Sequence, residues 1–192
     1  YMAFLVALLL PALYVAVALH HPELLNRTLL LILAESEETA PLSLTTEAIG
    51  ILLVYEIIRE AGLRLPQAVG GAVSIVAGLI VGDAAVSSGL ISTPMLTVTA
   101  IAVIAGFVIP DLNPPISVLR LLFVLAGGLG GLFGISLLGA AVLFHICAAE
   151  NHGFPLTTPL APFHKKGMRD VLYRADFPKM QSGNFTVEEY HE

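Results

Sequence analysis

The longest apolar stretch of the chain covers residues 65–149 and reads LPQAVGGAVSIVAGLIVGDAAVSSGLISTPMLTVTAIAVIAGFVIPDLNPPISVLRLLFVLAGGLGGLFGISLLGAAVLFHICAA. It contains only three charged side chains, those of Asp83, Asp111 and Arg120. Such a stretch is typical of lipid-embedded helices, because about 20 apolar residues cross the hydrocarbon layer of a bilayer. Backbone amides in lipid need partners within the protein, and runs such as residues 100–109 lack the alternation of barrel strands. The sequence therefore predicts an all-α polytopic membrane domain.

Composition points to the same class of protein. Hydrophobic residues make up 56% of the chain and charged residues 12%, whereas a soluble domain has about 25% charged residues. The net charge of −6 argues against a nucleic-acid partner, which requires a basic surface. The single cysteine, Cys147, excludes an intrachain disulfide.

Four segments are predicted to cross or re-enter the membrane, at residues 1–19, 66–81, 95–109 and 116–147. The second and third are short for a bilayer, so a re-entrant helix is the alternative for each of them. The fourth is longer than the bilayer requires and is expected to tilt or protrude. Residues 24–34 and 44–60 are predicted as outer interfacial helices. Together with the four membrane segments they belong to a predicted transmembrane domain at residues 1–163.

The basic tail at residues 164–192 sets the expected orientation. Five of the nine Lys and Arg residues follow Phe163, and by the positive-inside rule this tail is cytoplasmic. Four crossings then place the N-terminal end on the same side and the acidic residues 20–65 outside. The chain opens at Tyr1 on an apolar run with no basic region before it, so we expect the C-terminal part of a longer protein rather than a secretory signal.

Two charged side chains within the apolar stretch are candidates for a pore or gate. Asp83 either faces a cavity, pore or partner, because ionised groups at membrane depth are costly, or caps the next helix at the interface. Arg120 either extends to the outer face or pairs with Asp111 or Asp83.

The fourth segment carries glycines at the spacing with which membrane helices approach closely. Gly127 with Gly131, and Gly130 with Gly134, form small-xxx-small pairs. Packing within one chain is one interpretation, and an oligomer seam or hinge is the other.

Catalysis and metal binding are not expected. Ser136 and His145 could suggest a serine protease, but on one helix they are separated by about 13 Å along its axis, beyond hydrogen-bond reach. His145 and Cys147 point to different faces of a helix, so a zinc site with Glu150 and His152 is not expected either. We predict neither an enzyme nor a cofactor.

Short motifs follow one another along the whole chain. They include LPALY at 10–14, HHPEL at 20–24, EIIREAG at 56–62, RLP at 64–66, GDAAV at 82–86, GLISTPM at 89–95, FVIP at 107–110, GLFGI at 131–135, GFP at 153–155 and PLAP at 159–162. Prominent among their residues are His21, Pro22, Glu56, Arg59, Glu60, Gly62, Pro66, Pro94, Pro110, Pro155 and Pro162. In order and spacing, this set resembles the A-subunit family of spore germination receptors, the GerA type, which includes stage V sporulation AF-like proteins.

The resemblance implies a membrane subunit of a nutrient receptor in the inner membrane of a bacterial spore. Such a subunit works with a transporter-like B subunit and a lipoprotein C subunit, and is thought to form a homo-oligomer that passes ions. The chain departs from the family pattern at Asp83, where an amide is usual, and at Asn151 and His152. These departures leave the choice between a receptor subunit and an AF-like paralogue open.

Two other functions stay open at this point. A secondary transporter fragment would explain the short, glycine-rich helices, although no inverted repeat is visible. A non-conducting scaffold would hold a receptor cluster together through its glycine-bearing helices.

Overall fold

The structure, a computed structural model, describes residues 1–39, 41–151, 154, 155 and 157. Six α-helices make up most of it: α1 (Met2–His20), α2 (Arg27–Thr39), α3 (Leu44–Arg64), α4 (Gln67–Ser87), α5 (Thr93–Phe107) and α6 (Asn113–Ala148). Short 3-10 turns cover Pro22–Leu24 and Pro110–Leu112. The prediction of an all-α membrane domain is confirmed.

Prolines mark several helix starts, as their missing N–H groups lead one to expect. Pro66 directly precedes α4, Pro94 lies in the first turn of α5, and Pro110 opens the turn before α6. Pro11 is the exception, because it lies inside α1 and is buried there.

The described chain divides into two compact units. Residues 1–138 form the first, which holds α1 to α5 and most of α6. The described residues from 139 onward belong to the second, in which the end of α6 is followed by two short antiparallel strands, β1 (Glu150–Asn151) and β2 (Phe154–Pro155). The predicted basic tail at 164–192 lies outside the described residues.

Within the first unit, α1 and the first half of α6 run in the same direction. Near the start of each helix, Arg120 contacts Ala7. Near the other end of α1, His20 lies beside Gly131. The core lies along this contact, where Ala7 is fully buried among the apolar side chains Val15, Ala16, Met95, Ile116 and Val124.

Helix α3 runs alongside α1 and α6 in the opposite direction. Thr45 at its start lies against Gly128, while Glu56, farther along, meets Ser117 at the opposite end of the bundle. An apolar side of α3, formed by Leu44, Ala48, Ile51 and Leu52, is buried in the bundle and explains this packing. The outer interfacial position of residues 44–60 stays a prediction.

Helix α6 breaks at Gly131, whose φ of 59° and ψ of −145° are not helical. Beyond the break, Gly134 lies directly against the carbonyl group of Ala126. In a continuous helix these two residues would be about 12 Å apart, so the chain turns back on itself. The expectation of one long helix at residues 116–147 was therefore wrong, and the excess length is taken up by a reversal rather than by tilt alone.

Length and composition allow three described helices to cross a membrane: Met2–His20, Gly70–Ser87 and the broken segment Pro110–Ala148. Helix α5 is shorter, with 15 residues. The surfaces of these helices that face away from the core are strongly apolar, with Leu79, Leu129 and Phe133 more than two-thirds exposed. Lipid is the environment that suits such surfaces.

Candidate functional site

Arg120 is the most deeply buried cation of the described chain, with only 2% of its surface exposed. Its Nε donates a hydrogen bond to the carbonyl oxygen of Ala7 at 2.6 Å. In a regular helix that carbonyl would accept from the residue four positions later, which is Pro11 and has no N–H group. Arg120 therefore fills a position that proline leaves vacant, instead of extending to the outer face or pairing with Asp83 or Asp111.

A charged pair on α3 lies close to Arg120. Arg59 donates to Glu56 through Nε at 3.2 Å and also through Nη2. Ser117 of α6 lies near the same carboxylate, and Arg120 acts on it through its charge. We call Glu56, Arg59, Ser117 and Arg120 the arginine cluster.

The arginine cluster joins α3 to α6 by charge and α6 to α1 by the hydrogen bond from Arg120 to Ala7. It contains two guanidinium groups and one carboxylate, so one positive charge is not balanced within it. The Glu56–Arg59 pair is part-buried, whereas Arg120 is buried. The cluster thus connects α1, α3 and α6 through one buried and one part-buried guanidinium group.

A second buried acid, Glu47, connects α3 to α5. Its Oε2 accepts hydrogen bonds from the backbone N–H of Ser92 at 3.0 Å and from the Ser92 hydroxyl at 2.9 Å. Glu47 is 1% exposed, and its Oε1 has no hydrogen-bond partner among the described residues. The contact satisfies a backbone donor at the start of α5.

Sequence reasoning missed this role of Glu47. A usable signal was present. Glu47 follows Leu44 by three positions and precedes Ile51 by four, so it lies on the same buried side as these apolar residues.

Asp83 lies on α4, four residues before the helix ends at Ser87, and its side chain is exposed. None of the ion pairs between described residues includes it. The two candidate pore residues, Asp83 and Arg120, are therefore not brought together within the first unit: Arg120 is inside the bundle, and Asp83 is on its outside.

Three of the four glycines proposed as an oligomer seam contact their own chain. A Cβ on Gly127 would lie 2.8 Å from the Ala12 carbonyl oxygen, and one on Gly131 would lie 3.0 Å from His20. Gly134 lies against Ala126. Only around Gly130, among these four, is there open space, with no atom within 4 Å of a Cβ placed there.

Comparison with known proteins identifies the family of this bundle. Residues 1–184 match the family described as Bacillus/Clostridium GerA spore germination protein. The chain belongs to this family. No solved structure matches it.

Several curated relatives of this GerA-family chain come from Bacillus. It is 39% identical to spore germination protein KA of Bacillus subtilis (strain 168), over 90% of this chain and 32% of the relative. It is 37% identical to the uncharacterized membrane protein YfkQ of the same strain, over 91% of this chain and 34% of the relative. Spore germination protein GerLA of Bacillus cereus is also 37% identical, over 88% of this chain and 35% of the relative. The chain thus spans about a third of the length of the curated relatives it matches.

Most of the GerA-type motif residues have structural positions in the bundle. Glu60 accepts from Arg64 on the exposed side of α3, at 2.8 Å. The carbonyl oxygen of Gly62 lies where a side chain on Gly70 would have to go, so α3 and α4 meet closely there. Pro155 lies in β2, and Pro162 falls outside the described residues.

The HHPEL motif of this GerA-family chain forms the turn that follows α1. His21 Nδ1 lies 3.2 Å from Glu23 Oε1, on the surface. The backbone N–H of Glu23 and the His21 ring hold the pKa of the Glu23 carboxyl below its ordinary value. Pro22 starts the 3-10 turn that contains Glu23, and His21 directly precedes it, so the motif fixes the exit of the chain from α1.

Among the described residues, no three His, Cys, Asp or Glu side chains lie close enough to hold a metal ion. His145 and Cys147 are both exposed on α6. His152 lies outside the described part of the chain.

Proposed function

We propose that this chain is the membrane part of a nutrient germinant receptor subunit, which oligomerises and contributes to ion release or gating during spore germination. Membership of the GerA family and the names of the relatives support the receptor assignment. The observation that carries the ionic part of the proposal is the exposed carboxylate of Asp83 on a helix long and apolar enough to cross a membrane.

An exposed carboxylate on such a helix requires water or a partner. Ionised residues within membrane segments are costly in lipid and therefore face a cavity, a pore or another chain. Because Asp83 lies outside the bundle of its own chain, subunits arranged around an axis could bring several such carboxylates together. A ring of carboxylates selects cations.

The gating element in this proposal is the contact between α1 and α6. Arg120 joins the two helices at Ala7, and the break at Gly131 lets the second half of α6 change direction without disturbing the first. A signal from a partner subunit that shifts α1 would act on the arginine cluster and through it on α3.

The family resemblance supports a proposal for the partners and the location. We place the subunit in the spore inner membrane with its tail on the cytoplasmic side, together with a transporter-like B subunit and a lipoprotein C subunit. Gly130, which has open space around it, is the glycine best placed for contact between copies of the chain.

The test is potassium release from spores that carry Asp83→Asn. The amide removes the charge while keeping the shape of the side chain, so the rate of potassium release should change. Asp111→Asn is the matched control, because Asp111 is also exposed but lies in the turn before α6. Unchanged release with Asp83→Asn argues against a role in the ion path.

Two further measurements separate the alternatives. If Gly130→Leu abolishes assembly while Asp83→Asn has no effect, the chain is a scaffold. If vesicles take up labelled substrate without single-channel currents, it belongs to a transporter.

A further inference from the structure

Two charged residues are buried in the described part of the chain, Glu47 with 1% and Arg120 with 2% of its surface exposed. Burying a charge inside an apolar bundle is costly unless a group of opposite polarity lies beside it. Neither residue takes part in an ion pair between described residues. Their positions along one helix, α5, show what lies beside them instead.

Glu47 lies at the N-terminal end of α5. Its Oε2 accepts hydrogen bonds from the backbone N–H and the hydroxyl of Ser92, which is the N-cap residue of that helix. The start of α5 is thus capped by a side chain that belongs to α3. The N-terminal end of a helix carries roughly half a positive charge, so an acidic group is favoured there.

Arg120 lies at the opposite end of α5. A Cβ placed on Gly106, the second-to-last residue of α5, would be 3.6 Å from its Nη2 and 2.8 Å from Oδ1 of Asn113. The guanidinium group can come this close because the buried side of α5 ends in two small residues, Ala102 and Gly106. The C-terminal end of a helix carries roughly half a negative charge, which favours a cation.

Helix α5 itself has no charged residue among its 15 residues and is about 22 Å long. The two buried charges therefore lie at its two ends, each with the sign that the helix dipole favours. The guanidinium group of Arg120 also donates to Ala7 of α1 through Nε. A displacement of α1 would thus move the charge at one end of α5, while Glu47 keeps the other end bonded to α3.

We propose that Glu47 and Arg120 form an electrostatic clamp that holds α5 in its resting position, and that α5 is the helix released when the gate opens. The inference rests on the proposed gating function, in which a signal from a partner subunit shifts α1. Withdrawal of Arg120 with α1 leaves the C-terminal end of α5 without its cation. That end has space to move, because a groove between α3, α4 and α5 borders it at Val103 and Phe107.

Hydrogen exchange of the full protein in nanodiscs tests the end of the clamp at Glu47. Glu47→Gln keeps an acceptor for Ser92 but removes the charge, so exchange in the first half of α5 should rise about two- to fivefold. Glu60→Gln is the matched control, because it is the same substitution at an exposed position of α3. It should leave exchange in α5 unchanged. An equal rise in α1 and α5 with Glu47→Gln would indicate general loosening and overturns the clamp.

At the other end, the charge of Arg120 has to be separated from its hydrogen bond to Ala7. In a Pro11→Ala background α1 supplies its own donor for that carbonyl group, so a further Arg120→Met removes chiefly the charge beside α5. Exchange in the second half of α5 should then rise about two- to fivefold relative to Pro11→Ala alone. Unchanged exchange there contradicts the clamp.

Spores test the part that the clamp has in gating. If the clamp holds α5 at rest, spores with Glu47→Gln should release potassium without a nutrient faster than spores with Glu60→Gln. Equal basal release in the two strains overturns the assignment of α5 as the released helix. Asp83→Asn tests the ion path of the proposed function separately, because it leaves both ends of α5 unaltered.

Discussion

Arg120 and Ala7 are 113 residues apart in the chain, yet Nε of Arg120 donates to the Ala7 carbonyl oxygen at 2.6 Å. Pro11 makes this contact possible, since it deprives the carbonyl of the donor that a regular helix would supply. A proline inside a membrane helix usually leaves such an acceptor to be satisfied by a neighbouring helix or by water. Here a buried cation satisfies it, and the hydrogen bond that is missing within α1 is replaced by one between α1 and α6.

Replacing Arg120 by Met should destabilise the bundle. The substitution keeps an apolar side chain of similar length but leaves the buried Ala7 carbonyl without a donor, which costs about 1–3 kcal/mol. The measurement is the midpoint of unfolding when the detergent-solubilised protein is titrated with sodium dodecyl sulfate.

Pro11→Ala is the matched background for this substitution. Alanine restores the N–H group that the Ala7 carbonyl lacks, so Arg120→Met should cost less there than in the native chain, by about 1 kcal/mol. Strictly additive effects of the two substitutions would contradict the account of Pro11 and Arg120 given above.

Glu47→Ala should also destabilise the protein, because it removes both acceptor contacts to Ser92. The buried N–H group at the start of α5 would lose its partner, at a cost of about 1–3 kcal/mol. Glu47→Gln retains an acceptor oxygen and should recover most of that loss. Thermal unfolding of the three proteins in nanodiscs measures the difference.

Glu60→Ala serves as the surface comparison for Glu47. Its pair with Arg64 is exposed on α3, and such pairs contribute at most about 1 kcal/mol. If Glu60→Ala proved as damaging as Glu47→Ala, the stabilising role of the buried contact would be refuted.

The helices of this domain could be predicted because lipid leaves few alternatives. Apolar length alone marks α1, and the glycine- and alanine-rich composition of α4 does not prevent a helix. The position of α3 could not be predicted in the same way. Its mixed composition suits an interface as well as a bundle, and its contacts at Thr45 and Glu56 reveal that it runs beside α6.

The candidate site was harder to predict than the fold. Arg120 was identified as unusual, but its partner is a backbone carbonyl made available by Pro11, and side-chain pairing rules do not consider backbone acceptors. The glycines between Gly127 and Gly134 follow a regular packing spacing, which conceals that one of them ends a helix. A backbone angle, not residue type, distinguishes Gly131 from Gly130.

Gly131→Ala should be much more damaging than Gly130→Ala. The backbone of Gly131 lies in a region nearly restricted to glycine, where another residue costs about 1–3 kcal/mol, and its Cβ would also press on His20. Gly130 has open space and tolerates a methyl group. Unfolding midpoints of the two variants in the same detergent give the comparison, and equal midpoints would contradict the break.

The direction of α3 yields a prediction about membrane topology. If α3 crosses the bilayer, the residues just outside its two ends, Leu42 and Leu65, lie on opposite sides; an interfacial helix would leave both on one side. Both side chains are exposed, and Cys147 is the only cysteine of the chain, so Cys147→Ser provides a clean background.

In that background a membrane-impermeant maleimide added to intact cells should label Leu42→Cys but not Leu65→Cys. Leu24→Cys, an exposed position in the turn after α1, should behave as Leu42→Cys does, because both precede the crossing. Permeabilised cells supply the control for reactivity, since all three positions should then react. If both Leu42→Cys and Leu65→Cys were labelled in intact cells, α3 would not cross the bilayer. It would then lie at the membrane surface, with the charged Glu56–Arg59 pair outside the bilayer.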